Sequence, residues 1–404
     1  MAPNKTIAIL TSGGDCGGLN AAIKGAASMA LTMGVELYAI PNGYAGLYNL
    51  RDSGNLVKLD WNATDAIVSL MAGSESGNTR VKISGIEDPQ KYQTIRAGLA
   101  KHNIGGLIIA GGDDSGSVVV DLCGQGIPCV HVPKTMDLDL QTYSVGGDSA
   151  VNRIARFIED VKTTGKSHNR IMIVEVFGRY AGHTTLVGGI AGDADCILIP
   201  EVPVDFDVVY SHMRERFQRR IAASPYKSGT YLIAVSEGFT DASQQLLSDQ
   251  TLGADAFGHK KLGGTGKYVR QQLSDRMKTD NSMTDFMRRQ GLFVEQMNAL
   301  PEIREVLPSY LFRSGPTSAM DACFGKDVGA AALAAVVNGM SGVTVTGVVN
   351  GIIQCVETAQ IIRQRMVQEQ SVRFYEAIGV CFGRQTADYQ PQIAKLEQAN
   401  WNYL

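Results

Sequence analysis

The sequence has no long hydrophobic run and no export signal. None of its apolar stretches reaches the roughly 18 uninterrupted residues that a membrane-spanning helix needs. The chain begins with a short polar lead and then enters a strand pattern, without the apolar segment and cleavage site of a signal peptide. We therefore expect neither export nor membrane insertion, and no membrane partner.

Cysteine and histidine do not form a disulfide or metal-binding pattern. The seven cysteines lie at positions 16, 123, 129, 196, 323, 355 and 381, with no C-x-x-C pair. The six histidines include no pair with the spacing of a zinc site. An odd number of scattered cysteines is typical of reduced thiols, so we expect a cytoplasmic protein without a zinc centre.

Neither sign of charge is in large excess. The 37 Lys and Arg residues against 40 Asp and Glu give a net charge of −3. With 19% charged and 44% hydrophobic residues, the composition differs from that of a disordered chain and from that of a basic nucleic-acid-binding protein. The length of 404 residues indicates a globular protein of two or three domains, at the usual ~100–200 residues per domain.

Alternating strand and helix patterns predict an α/β fold. Short β-branched runs at 7–10, 106–110 and 171–176 alternate with longer helical patterns such as residues 19–33. This alternation is typical of a mostly parallel sheet with helices on both faces. Functional residues are then expected in the loops that follow the strands, because those loops form the ligand-binding crevice.

Two glycine-rich turns follow predicted strands. They are Thr11-Ser-Gly-Gly-Asp15 and Gly111-Gly-Asp-Asp-Ser115. Backbone N–H groups at such turns can bind phosphate, and a nearby carboxylate such as Asp113 can hold a divalent cation. The chain lacks the G-K-[ST] of a P-loop and the G-x-G-x-x-G of a dinucleotide site. The alternative is a purely structural turn, with a helix cap at Asp114 or Ser115, or at Asp113.

A densely charged segment, Pro133-Lys-Thr-Met-Asp-Leu-Asp139, follows the next predicted strand. Buried charges need partners, so a lysine and two carboxylates here are hard to explain by stability. Phosphoryl transfer uses a cation, hydrogen-bond donors and a carboxylate that accepts a proton. The segment therefore indicates phosphoryl transfer, with a solvated turn as the alternative.

Eight motifs in this order resemble those of the phosphofructokinase family. They are TSGGD at 11–15, GGDDS at 111–115, PKTMDLD at 133–139, SHNR at 167–170, VFGRYAGH at 176–183, PE at 200–201, SEG at 236–238 and the Tyr310-Leu-Phe-Arg313 box. The resemblance covers about residues 6 to 325. It implies an α/β fold of two doubly wound, mostly parallel-sheet domains with the active site in the cleft between them.

The resemblance also predicts how the chain is divided. Residues 1–146 together with about 320–375 would form the phosphoryl-donor domain. Residues 147–319 would form the sugar-phosphate domain, with a helical insertion at about 240–303 where the strand–helix rhythm breaks. Residues 376–404 would be a C-terminal extension.

Catalytic and donor-binding roles follow from the resemblance residue by residue. Asp137 resembles the general base that deprotonates the C1 hydroxyl of fructose 6-phosphate, and Asp113 resembles a ligand of Mg2+. Lys134, Thr135 and Arg179 would hold or neutralise the transferring phosphoryl group. The donor-binding residues implied in the same way are Gly13, Gly14, Arg80, Gly112, Asp114 and Ser115.

Sugar-binding roles are implied likewise. Glu237 resembles the residue that bonds the sugar hydroxyls, and Arg170 and Arg304 resemble a pair that crosses a subunit interface in a homodimer or homotetramer. The other implied sugar-binding residues are Thr135, Met136, Asp137, Asp139, Phe177, Gly178, Arg179, Tyr310 and Arg313. Surface charges at Arg80 and Arg304, and a half-buried aromatic at Tyr310, are the alternatives.

Two positions indicate the phosphoryl donor. The ATP-using branch of the family typically has glycine at the positions of Asp114 and Lys134. The Asp114 carboxylate adds bulk and negative charge where an ATP α-phosphate would lie, and Lys134 adds a cation suited to a compact inorganic anion. The resemblance therefore extends to the pyrophosphate-dependent branch, with pyrophosphate and fructose 6-phosphate as substrates and no nucleic-acid partner.

One position departs from the family pattern. The usual T-I-D-N-D reads Thr135-Met-Asp-Leu-Asp139, so Leu138 replaces an amide near the base. This change puts rate and sugar choice in question, with sedoheptulose 7-phosphate as a possible further acceptor. An ATP-dependent kinase and a non-catalytic sugar-phosphate-binding subunit are the rival functions. A NAD-dependent dehydrogenase is more distant, because its fingerprint is missing.

Overall fold

The protein is described from a computed structural model that covers residues 6–241, 262–386 and 388–396. Its strands are β1 (Thr6–Thr11), β2 (Leu37–Ala39), β3 (Val57–Lys58), β4 (Ile104–Gly111), β5 (Cys129–Pro133), β6 (Ile171–Val176), β7 (Cys196–Leu198), β8 (Tyr231–Ser236), β9 (Ile303–Val306), β10 (Val343–Val349) and β11 (Ile352–Glu357).

The helices lie between these strands, as the alternating pattern predicts. They are α1 (Leu19–Met33), α2 (Gly43–Ser53), α3 (Trp61–Ala66), α4 (Lys91–Lys101), α5 (Asp113–Gly124), α6 (Gly147–Ser167), α7 (His183–Ala191), α8 (Phe206–Ala223), α9 (Thr265–Thr279), α10 (Asn281–Arg289), α11 (Ala319–Val337), α12 (Thr358–Ile361) and α13 (Glu369–Ala377). Short 3₁₀ helices span Ile83–Gly85 and Ser309–Phe312.

The strands form two mostly parallel sheets. Among the described residues, one sheet has seven strands in the order β11-β10-β5-β4-β1-β2-β3, and the other has four in the order β7-β8-β6-β9. The second sheet is parallel throughout, and in the first sheet only the edge strands β3 and β11 pair antiparallel. The predicted α/β class with mostly parallel sheets is confirmed.

Side chains of the inner strands are buried on both faces of the sheets, whereas the edge strands β3 and β11 are largely exposed. Along β1, Ile7 and Ile9 belong to one apolar cluster, while Ala8 and Leu10 belong to another. This division follows from the two-residue period of a strand, which sends successive side chains to opposite faces. The cluster of Ile7 and Ile9 also contains Val174 of β6, so one continuous core joins the two sheets.

Later segments of the chain return to both sheets. β10 and β11 complete the first sheet, whereas Cys381 forms a β-bridge with Cys196 of β7 in the second sheet. Helices α9 and α10 lie in the segment predicted as a helical insertion, although residues 242–261 of that segment are outside the described residues. The domain boundaries drawn from the resemblance stay predictions.

Two expectations from the sequence concern free cysteine thiols and membrane-spanning helices. Each of the seven cysteines lies within the described ranges and is a free thiol, as expected. Within the same ranges, no helix combines the length and the apolar character needed to cross a bilayer.

Candidate active site

A cleft of about 510 Å³ lies at the carboxyl ends of β1, β4 and β5, which are neighbours in the first sheet. Residues that follow β6 and β8 of the second sheet close its other side. The residues that line the cleft are Gly13, Gly14, Asp15, Arg80, Gly112, Asp113, Asp114, Ser115, Lys134, Thr135, Met136, Asp137, Phe177, Arg179, Tyr180, Glu237, Leu262, Ser309, Tyr310 and Arg313.

Most of the predicted site residues meet in this cleft. Every predicted donor-binding residue lines it, as do the predicted metal ligand and the predicted catalytic residues. Four predicted sugar-binding residues are not among the lining residues: Asp139, Gly178, Arg170 and Arg304. Asp139 is 7% exposed and follows Asp137 by two residues, and Gly178 lies in the turn that carries Arg179.

Arg170 and Arg304 lie away from the cleft. Arg170 precedes β6 and Arg304 is in β9, so both are near the amino end of the second sheet, whereas the cleft lies at the carboxyl ends. The Arg170 Nε atom donates to Glu302 Oε2 at 2.6 Å, and Arg304 forms an ion pair with the same carboxylate. In the single chain these arginines therefore bind Glu302 and do not contact the cleft.

Lys134 is buried beneath the first glycine-rich turn. It is 4% exposed, and its ammonium donates a hydrogen bond to the carbonyl oxygen of Gly14. Burial lowers the Lys134 pKa and the Arg313 cation lowers it further, whereas Asp137 and Asp15 favour the charged form. The cation is thus held at the floor of the cleft against the turn that was predicted to bind phosphate.

Two carboxylates follow Lys134 in the same loop. Burial raises the Asp137 pKa, against the opposing effect of the Arg179 and Arg313 cations, while Asp113 raises it further. Burial, followed by the charges of Asp137 and Asp113, raises the Asp139 pKa to about 7. A carboxylate whose charged form is disfavoured is a stronger proton acceptor, which suits general base catalysis.

Asp113 and Asp114 begin helix α5 but do not cap it. Gly112 is the N-cap residue and makes no side-chain capping bond, so the alternative of a capping aspartate is wrong. Both carboxylates lie in the first helical turn, where the helix dipole favours negative charge. Their position at the end of β4 directs them toward the cleft that they line.

The residues present fit a magnesium ion. Among the described residues, no group of three or more His, Cys, Asp or Glu could enclose a metal ion. Mg2+ is commonly held by one or two carboxylates together with substrate phosphates, and a single side chain such as Asp113 meets that requirement. The electrostatic repulsion among Asp113, Asp137 and Asp139 would also be relieved by a cation.

Asp114 lies between two cations. Its Oδ1 atom is 3.4 Å from Lys82 Nζ, and its Oδ2 atom is 3.7 Å from Arg179 Nη1. Lys82 comes from the loop before the first 3₁₀ helix, whereas Arg179 follows β6. The carboxylate therefore links an arginine of the second sheet to the donor side of the cleft.

Glu237 supports the turn that contains Arg179. Its Oε1 atom accepts hydrogen bonds from the backbone N–H groups of Gly178 at 3.2 Å and of Arg179 at 3.0 Å. Burial raises the Glu237 pKa to about 7, although the N–H of Arg179 opposes this shift. Residue 238 must be glycine, because a Cβ atom there would lie 1.7 Å from the carbonyl oxygen of Arg179.

Arg313 lies between Tyr310 and the first glycine-rich turn. Its guanidinium carbon is 5.2 Å from the ring centroid of Phe177 and 5.5 Å from that of Tyr310. Its Nη1 atom is 4.0 Å from Asp15 Oδ1, and a Cβ atom on residue 14 would lie 2.6 Å from the same nitrogen. Gly14 thus allows the guanidinium to approach the donor turn. Tyr310 is 68% exposed, so the alternative of a half-buried aromatic is wrong.

Some cleft residues were not predicted from the sequence. Asp15 and Tyr180 belong to motifs that were recognised, and Ser309 precedes the Tyr310 box, so their neighbours could have indicated them. Leu262 carries no such signal. Lys82 was not predicted either, because its ion pair with Asp114 is formed only in the folded chain.

Comparisons with known proteins identify the family of the chain. The phosphofructokinase family model matches residues 6–336. A pyrophosphate–fructose 6-phosphate 1-phosphotransferase of Dictyoglomus thermophilum is 32% identical over 341 residues, which are 84% of this chain and 88% of that protein. An ATP-dependent 6-phosphofructokinase of Bacillus cytotoxicus is 35% identical over 243 residues, which are 59% of this chain and 71% of that protein.

Solved structures share the fold. A pyrophosphate-dependent phosphofructokinase from Nitrosospira multiformis has a TM-score of 0.70 at 20% identity, over 99% of this chain and 96% of that chain. A phosphofructokinase from Saccharomyces cerevisiae has a TM-score of 0.67 at 22% identity, over 89% of this chain and 45% of that longer chain. With a family model matched over residues 6–336 and a relative at 32% identity across most of both sequences, the chain belongs to the phosphofructokinase family, whose reaction is phosphoryl transfer to fructose 6-phosphate.

Proposed function

We propose that this protein is a Mg2+- and pyrophosphate-dependent phosphofructokinase. It would transfer a phosphoryl group from pyrophosphate to the C1 hydroxyl of fructose 6-phosphate, which gives fructose 1,6-bisphosphate and phosphate. Because the transfer potentials of pyrophosphate and the sugar bisphosphate are close, the reaction would be reversible and would serve both glycolysis and gluconeogenesis. The observation that carries the donor assignment is the Asp114 carboxylate between Lys82 and Arg179 on the donor side of the cleft.

The arrangement around Asp114 disfavours a nucleotide donor. A fixed carboxylate in this position opposes the α-phosphate of ATP both by its volume and by like charge. Pyrophosphate is shorter and can be bound by Lys134 and by the backbone N–H of Gly14 in the first glycine-rich turn. Arg80 also lines the cleft and supplies a further cation on the donor side.

On the acceptor side, the chain supplies a base and cations. Asp137 would take the proton from the C1 hydroxyl as its oxygen attacks the terminal phosphorus, and Glu237 would bind the sugar hydroxyls. Thr135, Lys134 and Arg179 would hold the charge that develops on the transferring phosphoryl oxygens. Mg2+ held by Asp113 would neutralise donor phosphate oxygens when bound.

Arg313 and Tyr310 are the candidates for binding the sugar 6-phosphate within one chain. Arg170 and Arg304 lie away from the cleft, which supports their assignment to the site of a second copy in a homodimer or homotetramer. A cytoplasmic location is proposed with the rest, on the family's place in glycolysis.

An ATP-dependent kinase is the second candidate. The relative from Bacillus cytotoxicus is named as ATP-dependent and is 35% identical to this chain over the aligned residues. Overall similarity therefore does not decide the donor, and the argument for pyrophosphate depends on Asp114, with Lys134 in support.

The test is a donor comparison with the purified wild-type protein. Initial rates with fructose 6-phosphate and Mg2+ are measured with pyrophosphate, ATP or neither, and the product is identified as the 1,6-bisphosphate. We expect turnover with pyrophosphate and near-zero turnover with ATP. A preference for ATP would overturn the donor assignment, and no turnover with either donor would overturn the catalytic function. Sedoheptulose 7-phosphate as acceptor then tests the effect of Leu138.

A further inference from the structure

A segment near the end of the chain, residues 361–367, runs along the loop that contains Asp137. We call this segment the strap. The backbone N–H of Arg365 donates to the carbonyl oxygen of Asp139 at 2.7 Å, and Arg365 Nη2 donates to that of Leu138 at 2.6 Å. The backbone N–H of Gln141 in turn donates to the carbonyl oxygen of Ile361 at 3.0 Å. The strap is therefore hydrogen-bonded along the base-bearing loop, behind its catalytic face.

The loop needs such support because of its conformation. Leu138, between the two aspartates, has φ 57°, in the left-handed region that costs an L-residue about 1–2 kcal/mol. A leucine side chain has no polar atom with which to stabilise this turn locally. The guanidinium of Arg365 instead holds the carbonyl oxygen of the strained residue itself.

The same strap is bonded to the second sheet's side of the cleft. The backbone N–H of Val367 donates to Glu201 Oε1 at 2.9 Å. The N–H of Gly182 donates to both oxygens of that carboxylate, at 3.0 and 3.1 Å. Gly182 ends the turn that carries Arg179, so one carboxylate joins the strap to the arginine-bearing turn.

His183 adds a second link on that side. Its Nε2 atom lies 3.0 Å from the carbonyl oxygen of Arg365, which can only accept, so Nε2 carries the proton. Val367 is 7% exposed and belongs to the core that joins the two sheets. The strap is thus fixed at both sides of the cleft by groups that do not line it.

We propose that the strap sets the position of Asp137 relative to Arg179 across the cleft, with Arg365 and Glu201 as positioning residues. The proposal deepens the function given above and rests on it. Neither residue lines the cleft, so their contribution would reach the substrates only through the two turns. A misplacement of about 1 Å at a reacting group can cost about 10²-fold in rate.

The experiment compares Arg365→Ala with Arg363→Ala in the full-length enzyme. Arg363 is an exposed arginine of the same strap, and its guanidinium makes no hydrogen bond or ion pair with the described residues, although its carbonyl oxygen accepts from Gln141. We expect Arg365→Ala to lower kcat about tenfold or more with the KM of both substrates within about twofold, while Arg363→Ala stays near wild type. Arg365→Lys, which keeps the charge, should recover part of the rate.

Glu201→Gln tests the other side of the strap. It should lower kcat without changing KM, and its combination with Arg365→Ala should cost less than the product of the two single effects, since both act through one segment. A kcat for Arg365→Ala within twofold of that for Arg363→Ala would overturn the proposal. If the lower kcat of Arg365→Ala came with a lower melting temperature and higher KM values for both substrates, Arg365 would be a structural residue. That result would also overturn the proposal.

Backbone hydrogen exchange separates this proposal from the proposed function. Without substrates, Arg365→Ala should speed exchange in peptides that cover residues 135–141, and Arg363→Ala should not. This comparison holds whichever donor the wild-type enzyme uses, and even if it turns over none. Unchanged exchange at residues 135–141 would refute the strap, whereas an inactive wild type with increased exchange would refute only the catalytic assignment.

Discussion

Replacing Asp114 by glycine tests the donor assignment at its central residue. The Asp114 side chain is 13% exposed, and its carboxylate is fixed between Lys82 and Arg179. At a separation of about 4 Å and an effective dielectric constant of about 20, it would repel one charge of an ATP α-phosphate by about 4 kcal/mol. Because about 1.4 kcal/mol corresponds to tenfold in rate, we expect kcat/KM with ATP to rise between about 10- and 1,000-fold.

The same substitution should weaken catalysis with pyrophosphate. It removes the carboxylate that lies 3.7 Å from Arg179 Nη1 and 3.4 Å from Lys82 Nζ. These cationic side chains are about a third exposed, so each ion pair contributes about 1 kcal/mol or less. Loss of both contacts and a less fixed Arg179 should lower kcat/KM with pyrophosphate about tenfold.

The assay is kcat/KM for each donor at fixed Mg2+ and fructose 6-phosphate, across wild type and variants. Asp114→Asn is the matched control, because it removes the charge and keeps the volume, so it separates repulsion from steric exclusion. Lys134→Gly should damage turnover with pyrophosphate without admitting ATP, since it removes a cation and leaves Asp114 in place. The double variant need not be additive, because both side chains face the same phosphates.

Two results would refute the reasoning. A wild-type enzyme that already prefers ATP would show that Asp114 does not exclude the nucleotide. An Asp114→Gly variant that is folded and retains pyrophosphate activity, yet gains no ATP activity, would place the exclusion elsewhere in the donor pocket. A large gain in ATP activity with Asp114→Asn would show that the charge of Asp114, and not its volume, excludes ATP.

Three further predictions concern the proposed base Asp137, the proposed sugar-phosphate-binding residues Arg313 and Tyr310, and the dependence of stability on pH. Asp137→Asn should lower kcat about 10²–10⁴-fold while fructose 6-phosphate still binds, measured by calorimetry; a variant that keeps a tenth of the rate would contradict the assignment. Arg313→Ala should raise the KM for both substrates, because its guanidinium lies near Asp15 as well as Tyr310. The increase should be larger than that caused by Tyr310→Phe. A change in the KM of only one substrate would contradict this prediction. Burial raises the Asp139 pKa from 3.8 to about 7, so the contribution of Asp139 to the free energy of unfolding is present below about pH 4 and is lost as the pH rises to about 7. In denaturant titrations, the free energy of unfolding of Asp139→Asn should therefore fall less than that of the wild type between these pH values.

The shared position of the donor and base loops could be predicted from the sequence for a physical reason. β1, β4 and β5 are adjacent and parallel, so the segments after them begin at the same edge of the sheet. The first glycine-rich turn, Asp113 and Lys134 each come within a few residues of a strand end, and the chain has little freedom to place them elsewhere. The alternation of strands and helices therefore predicted that they would lie at one edge of a parallel sheet, and the structure shows in addition that the three strands are neighbours.

The contacts that cross between segments could not be predicted in this way. Arg313 is far from the first glycine-rich turn in sequence, and the resemblance placed it among the sugar-binding residues. In the structure its guanidinium approaches both Gly14 and Asp15. Lys82 and Arg365 each follow an arginine by two residues in stretches that also contain apolar side chains, so the sequence does not single them out. Only the fold shows that they contact Asp114 and Leu138.

Backbone strain at the cleft explains why those long-range contacts matter. Leu138, Arg179 and Ser309 have φ values of 57°, 49° and 50°, and each is in or beside a segment that lines the cleft. Such conformations cost about 1–3 kcal/mol and persist only where the surroundings determine them. Glu237 supplies this support for Arg179 by accepting the N–H groups of the turn, at the position proposed to bind sugar hydroxyls. If Glu237 binds the sugar as proposed, sugar binding and the placement of Arg179 would depend on one carboxylate, and a bound sugar that orders Glu237 would also order Arg179.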